Sequence, residues 1–184
     1  MKRLFETKIY QEDGLYGVWL CVHGRWELIK LDDNFVCYSK TRGPAFSKAV
    51  GNELWVLLLE KAWAKVYKTF ENIVSGSSVD ALNSLTGAPG KMTDFKPDEG
   101  RKAFQFILDN ERKKFMMTCS SKSEDGVEQE DIKSGIVSKH CYAILDCKKT
   151  SRGDELIKIR NPWGSNEWKG DWSDKSSKWT PDLK

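Results

Sequence analysis

The sequence predicts an α+β fold, in which a helix-containing first part is followed by an antiparallel sheet. Three observations carry this: a strand hairpin near the start, two amphipathic helical stretches in the middle, and a run of strand-like segments towards the end. At 184 residues there is room for one ordinary domain and not comfortably for two. Eight Trp, eight Phe and five Tyr are enough aromatic mass to build a core, so wholesale disorder is excluded.

The hairpin lies in residues 15–31, LYGVWLCVHGRWELIKL, around His23-Gly24. A two-residue connection ending in Gly marks a tight turn whose central positions both want positive φ. From residue 52 to about residue 73, Trp55, Leu58, Leu59, Ala62, Val66 and Phe70 recur at helical spacing. Asn52 is the expected N-cap, which would put Glu53 in the first turn. A short helix is expected around residues 79–85, ended by Gly87-Ala88-Pro89-Gly90. This break is the expected subdomain boundary, dividing the chain into residues 1–87 and 88–184. The second amphipathic helix covers residues 97–112, with Ala103, Phe104, Ile107 and Leu108 on one face. Residues 114–120 then read as a buried strand, and 121–134 as a long polar loop. Two further strands, 140–147 and 156–161, close the pattern before a segment containing Trp163, Trp168, Trp172 and Trp179.

Charge and cysteine usage narrow the function classes. Thirty basic against twenty-seven acidic residues leave +3, too mild and too evenly spread for a nucleic-acid footprint. No apolar run approaches the roughly 18 residues of a membrane helix, and the charged start is unlike a signal peptide. Five cysteines at irregular spacing, without a C-x-x-C pair and with only two histidines, argue against a zinc cage. They fit a reducing, cytoplasmic compartment.

Chemistry enters through His140 and Asn161. If residues 148–155 are the end of a hairpin, the two lie on neighbouring strands, offset by two residues from direct opposition. His140, Tyr142, Ile144 and Asp146 would share one face, as would Ile157, Ile159 and Asn161. An imidazole beside a carboxamide is the base-and-orienter half of a Cys-His-Asn site. The amide oxygen is expected to accept the Nδ1 proton, turning the other nitrogen towards a thiol. An ordinary strand histidine and a strand-ending asparagine are the other reading of the same pair.

The wording around these residues decides between them. Arg160-Asn161-Pro162-Trp163-Gly164, then Glu167-Trp168 and Gly170-Asp171-Trp172, closely resembles the calpain protease signature. So do residues 54–71, LWVLLLEKAWAKVYKTFE, together with Leu85-Thr86-Gly87-Ala88 and Ser138-Lys139-His140-Cys141-Tyr142-Ala143, in calpain order. The resemblance covers nearly the whole chain. It implies a partial papain-like protease core, with residues 1–87 the later part of the first subdomain and 88–184 the second. It makes His140 the catalytic histidine, Asn161 the catalytic asparagine, and Trp163 a gating residue over the cleft. It also implies Ca2+ as cofactor, with Glu53 a ligand in the first subdomain and Glu167 and Asp174 ligands in the second. Protein substrates follow from the same resemblance. Lys139 departs from it, because the family usually has Gly before the histidine.

The nucleophile is the missing part. In papain-like enzymes it precedes the histidine by roughly 130–150 residues, and no cysteine here precedes Cys21. Cys21 sits mid-strand, Cys37 follows the hairpin, and neither opens a helix whose dipole would lower its pKa. Cys141 points to the opposite strand face from His140. Two expectations follow. The chain is a segment of a calcium-dependent cysteine endopeptidase whose nucleophile lies on an upstream segment, or it is a catalytically inactive calpain-like binding module. An unrelated α+β binding domain is a third reading.

Overall fold

The computed structural model describes residues 4–6, 13–48, 51–121, 131, 133–165 and 167–180. The chain divides into two compact units, Met1–Met92 and Thr93–Lys184, while the sequence break had suggested a division just after Gly87. Helices and antiparallel sheets make the fold α+β.

In the first unit, strands β1 (Leu15–Val22) and β2 (Arg25–Asp32) form an antiparallel hairpin with Val22 opposite Arg25. His23 and Gly24 have φ of 48° and 78°, the two left-handed positions that such a turn requires. Helix α1 (Trp55–Val66) packs across both strands, and helix α2 (Ser78–Thr86) lies against β1. Their shared core is Val18, Leu20, Leu31, Leu58 and Ala62. Two lysines of α1 tie it to the end of the hairpin. Lys61 donates to the Asp32 and Asn34 carbonyls and to the Asp32 carboxylate, and Lys65 donates to the Lys30 carbonyl. The Lys61 hydrogen bond holds the Asp32 carboxyl down at about 2, with bonds from Asn34 adding to the effect.

Helix α1 is shorter than the periodicity suggests. It starts at Trp55 with Leu54 in the cap position and no side-chain cap, so Asn52 is not the N-cap and Glu53 stands before the helix. Trp55 is half-exposed, its indole N–H donating to Glu53 Oε2 at 3.2 Å. The helix ends because Lys68 turns left-handed (φ 79°), after which Glu71–Ile73 form a 3-10 turn. An apolar residue such as Phe70 therefore continues the helical period without belonging to the helix. It stacks on Phe46 at 4.4 Å between ring centroids.

In the second unit, a 3-10 turn at Pro97–Glu99 leads into helix α3 (Gly100–Arg112). The Glu99 carboxylate accepts the Lys96 amide at 3.0 Å. Helix α3 packs on the central strand of a three-stranded antiparallel sheet, ordered β3 (Met117–Ser120), β4 (Cys141–Lys149), β5 (Glu155–Arg160). The expected strand from residue 114 begins only at Met117, since Lys114 is left-handed and Phe115 and Met116 are exposed. Most of the expected loop 121–134 lies outside the described residues. A bulge between Ile144 and Asp146 shifts the β4–β5 register. It passes the buried position from Tyr142 to Cys147, so Asp146 does not continue the face of His140 and Tyr142 as simple alternation would have it.

Glycine is required at one helix end. Gly87 follows α2 with φ 71°, and a Cβ there would lie 3.0 Å from the Trp26 ring. Gly87→Ala should lower the stability of the chain to urea by about 1–2 kcal/mol, the cost of a left-handed L-residue. Unchanged stability would contradict this account of the α2 terminus.

Candidate active site

The β4–β5 ladder sets the geometry. Ala143 pairs with Arg160 and Ile144 with Ile159. Continued past the strand ends, this register puts Tyr142 opposite Asn161 and His140 opposite Trp163, all four on one face. The diagonal pair His140 and Asn161 meets: His140 Nε2 lies 2.8 Å from Asn161 Oδ1. Trp163 lies over the imidazole with ring centroids 4.1 Å apart. His140 is only 7% exposed, whereas Trp163 is 52% exposed, so the indole is the outer layer of the site.

The direction of the hydrogen bonds follows from the network. Asn161 Nδ2 donates to the Ser165 carbonyl at 2.7 Å, which fixes the amide orientation. Its Oδ1 is therefore the acceptor, and it also takes the Trp163 amide N–H at 3.0 Å. An acceptor facing Nε2 requires the proton on Nε2. This corrects the expectation that Nδ1 would make the bond. The ladder presents the far end of the ring to the carboxamide, so Nδ1 is the nitrogen left for proton transfer.

Four contacts that the sequence reading passed over hold the approach to His140. The Tyr142 hydroxyl accepts the Val137 amide at 2.8 Å, and its ring meets the imidazole edge-on at 5.0 Å between centroids. Ser121 Oγ donates to the Val137 carbonyl, and the Ser121 carbonyl accepts the Lys139 amide. Tyr142 could have been noticed from its strand face, but its bond to a loop amide has no signal in sequence. Lys139 itself is exposed with φ 54°. Its backbone occupies the region that glycine adopts without penalty, where the resemblance expects glycine. The lysine meets the same demand at a cost of about 1–2 kcal/mol.

All five cysteines are free thiols. Cys21 lies within β1, and Cys37 pairs with Pro44 in an isolated bridge. Cys141 is exposed, opposite Ser120. Cys119 was not weighed from sequence, yet it pairs with Tyr142 and so shares the face of His140. Burial, with a smaller contribution from Cys141, raises its thiol pKa. A nucleophile needs the opposite shift. Cys147 is also pushed up, first by burial and then by Asp146 and other carboxylates.

The three expected metal ligands fall in two separate places, one in the first unit and two in the second. Glu53 belongs to the first unit, where it accepts the Trp55 indole N–H; Glu167 and Asp174 are exposed residues of the second unit. Gly135 packs against the Glu167 carbonyl so closely that a Cβ there would clash with it. Asp174 borders an open cavity of about 820 Å³ with Cys147, Leu156 and Trp179. Among the described residues, no three His, Cys, Asp or Glu side chains converge to hold a metal ion. The acids suit calcium by donor chemistry, as carboxylates outside helices and strands.

The model for "Calpain family cysteine protease" matches residues 1–183. A calpain-type cysteine protease, ADL1, from Oryza sativa subsp. japonica is 36% identical over 195 aligned positions, covering 100% of this chain and 9% of the rice protein. Human calpain-14 is 30% identical over 169 positions, covering 90% of this chain and 24% of its own length. Calpain-A of Drosophila melanogaster is 30% identical over 174 positions, 90% of this chain and 21% of the fly protein. The chain thus spans a quarter or less of each of these relatives.

Proposed function

The chain belongs to the calpain family of cysteine proteases, and on that premise we propose that it supplies the histidine–asparagine half of a cysteine endopeptidase site. The observation that supports this reading best is the 2.8 Å bond from His140 Nε2 to Asn161 Oδ1 beneath Trp163. The nucleophilic thiol comes from an upstream segment, and the substrates are proteins.

In the assembled enzyme the thiol gives its proton to His140 Nδ1, and the resulting ion pair holds the sulfur as thiolate. Thiolate attacks the peptide carbonyl, forming the C–S bond. The tetrahedral adduct then collapses, the C–N bond breaks, and imidazolium Nδ1–H protonates the departing amine. Water hydrolyses the thioester after giving a proton to the same nitrogen, and that proton returns to sulfur. Throughout, Asn161 Oδ1 holds Nε2–H and fixes the ring plane. Trp163 covers that bond, excluding water that would compete for it, and gates the cleft.

Calcium dependence forms part of the same proposal. Glu53 would serve the first unit, and Glu167 and Asp174 the second. Each carboxylate would supply one or two of the about six to eight oxygens that calcium takes, with carbonyls and water completing the shell. Calcium is a hard cation, and it would neutralise and draw in the loop carboxylates. The five free thiols support a reducing, cytoplasmic setting.

A second reading, a catalytically inactive binding module, is favoured by one observation: the thiol pKa values of Cys119, on the face of His140, and of Cys147 are raised, first by burial. The two readings separate in an enzyme reconstituted with the upstream segment. His140→Ala should reduce kcat by about 10²–10⁴-fold, the usual share of general acid–base catalysis. Full activity in the variant would remove His140 from the chemistry, and absence of turnover in the unsubstituted protein would favour the binding module. Calorimetric titration of the chain with calcium should show binding that Glu167→Gln with Asp174→Asn weakens. Equal binding by the double variant would dismiss those two ligands.

A further inference from the structure

We propose that Tyr142 is the positioning residue that fixes the His140 imidazole in the orientation Asn161 requires, a role that rests on reading His140 as the base. His140 sits just before β4, where the ladder no longer constrains it. Something else must define its backbone, because Lys139 before it is in the left-handed region. The Tyr142 hydroxyl does this by accepting the Val137 amide at 2.8 Å, closing the segment 137–142 on itself. Val137 is 1% and Tyr142 4% exposed, so neither group can exchange this bond for water without opening the segment. The same ring presents itself edge-on to the imidazole, at 84° and 5.0 Å. One side chain therefore sets both the backbone leading into His140 and one wall of its ring.

Ser121 supports the segment from the other side. Its Oγ donates to the Val137 carbonyl at 3.2 Å, and its carbonyl accepts the Lys139 amide at 3.0 Å. Removing the Tyr142 hydroxyl leaves the Val137 amide buried and unsatisfied, a penalty that favours opening of the segment. Opening turns the imidazole away from Oδ1, although Asn161 stays held by Ser165 and Trp163.

The test uses the 184-residue chain, whose only other histidine is His23. In Tyr142→Phe, the Nε2 proton of His140 should exchange with water about tenfold faster, the effect of one lost buried hydrogen bond. Backbone amides paired across β3, β4 and β5 should keep their protection, which general loosening of the sheet would not allow. In the reconstituted enzyme, kcat should fall while KM holds. An unchanged exchange rate in a folded Tyr142→Phe would overturn the proposal. If that variant does not fold, Ser121→Ala loosens the same segment at Val137 and must shift the exchange in the same direction; no shift there would equally overturn it. The exchange outcomes are read without turnover, so they stand apart from the fate of His140→Ala.

Discussion

The register of the β4–β5 ladder is the constraint on which the site depends. Ala143 faces Arg160 across it, and this one pairing brings His140, Tyr142, Asn161 and Trp163 to a single face. A slip of one residue between the strands would leave His140 and Tyr142 on the opposite face of the sheet from Asn161 and Trp163. The bulge between Ile144 and Asp146 lies just inside that pairing. It absorbs an extra residue, so the hairpin can close at its far end without disturbing the end that carries the imidazole.

Once the strands are in register, polarity passes through the site in one direction. The Ser165 carbonyl takes the Asn161 amide protons, the Asn161 oxygen takes Trp163 N–H, and the same oxygen takes Nε2–H of His140. Turning the Asn161 amide over would set its Nδ2 protons against the Trp163 N–H and its oxygen against the Ser165 carbonyl, so the network runs one way. The His140 imidazole is thereby held in one plane. The exposed indole of Trp163 over this chain separates it from bulk water.

Much of this was legible in the residues, and the misses have physical causes. His23-Gly24 announced its turn because a two-residue connection restricts backbone angles locally. The pairing of His140 with Asn161 was legible because strand alternation and the loop between the strands nearly determine it. Which imidazole nitrogen faces the amide was not, because ring rotation depends on the stagger of a diagonal pair. Asp146 was misassigned because a bulge changes parity without marking the sequence. Asn52 was misassigned because helical periodicity continues through residues that the backbone leaves outside the helix. Cys119 escaped notice since its strand, β3, pairs with β4 only in three dimensions. The proposal of Glu53, Glu167 and Asp174 as calcium ligands rests on family resemblance, for exposed acids carry no local pattern that separates ligands from solvated surface.

The central claim is that the neutral form of His140 carries its proton on Nε2, held there by Asn161. The most direct measurement is a long-range proton–nitrogen correlation spectrum of the nitrogen-15-labelled chain, with His23→Gln used to assign the two imidazoles. The account predicts that His140 in its neutral form gives the pattern of a single tautomer, Nε2 protonated and Nδ1 bare. A protonated Nδ1, or the averaged pattern of a freely exchanging imidazole, would contradict it.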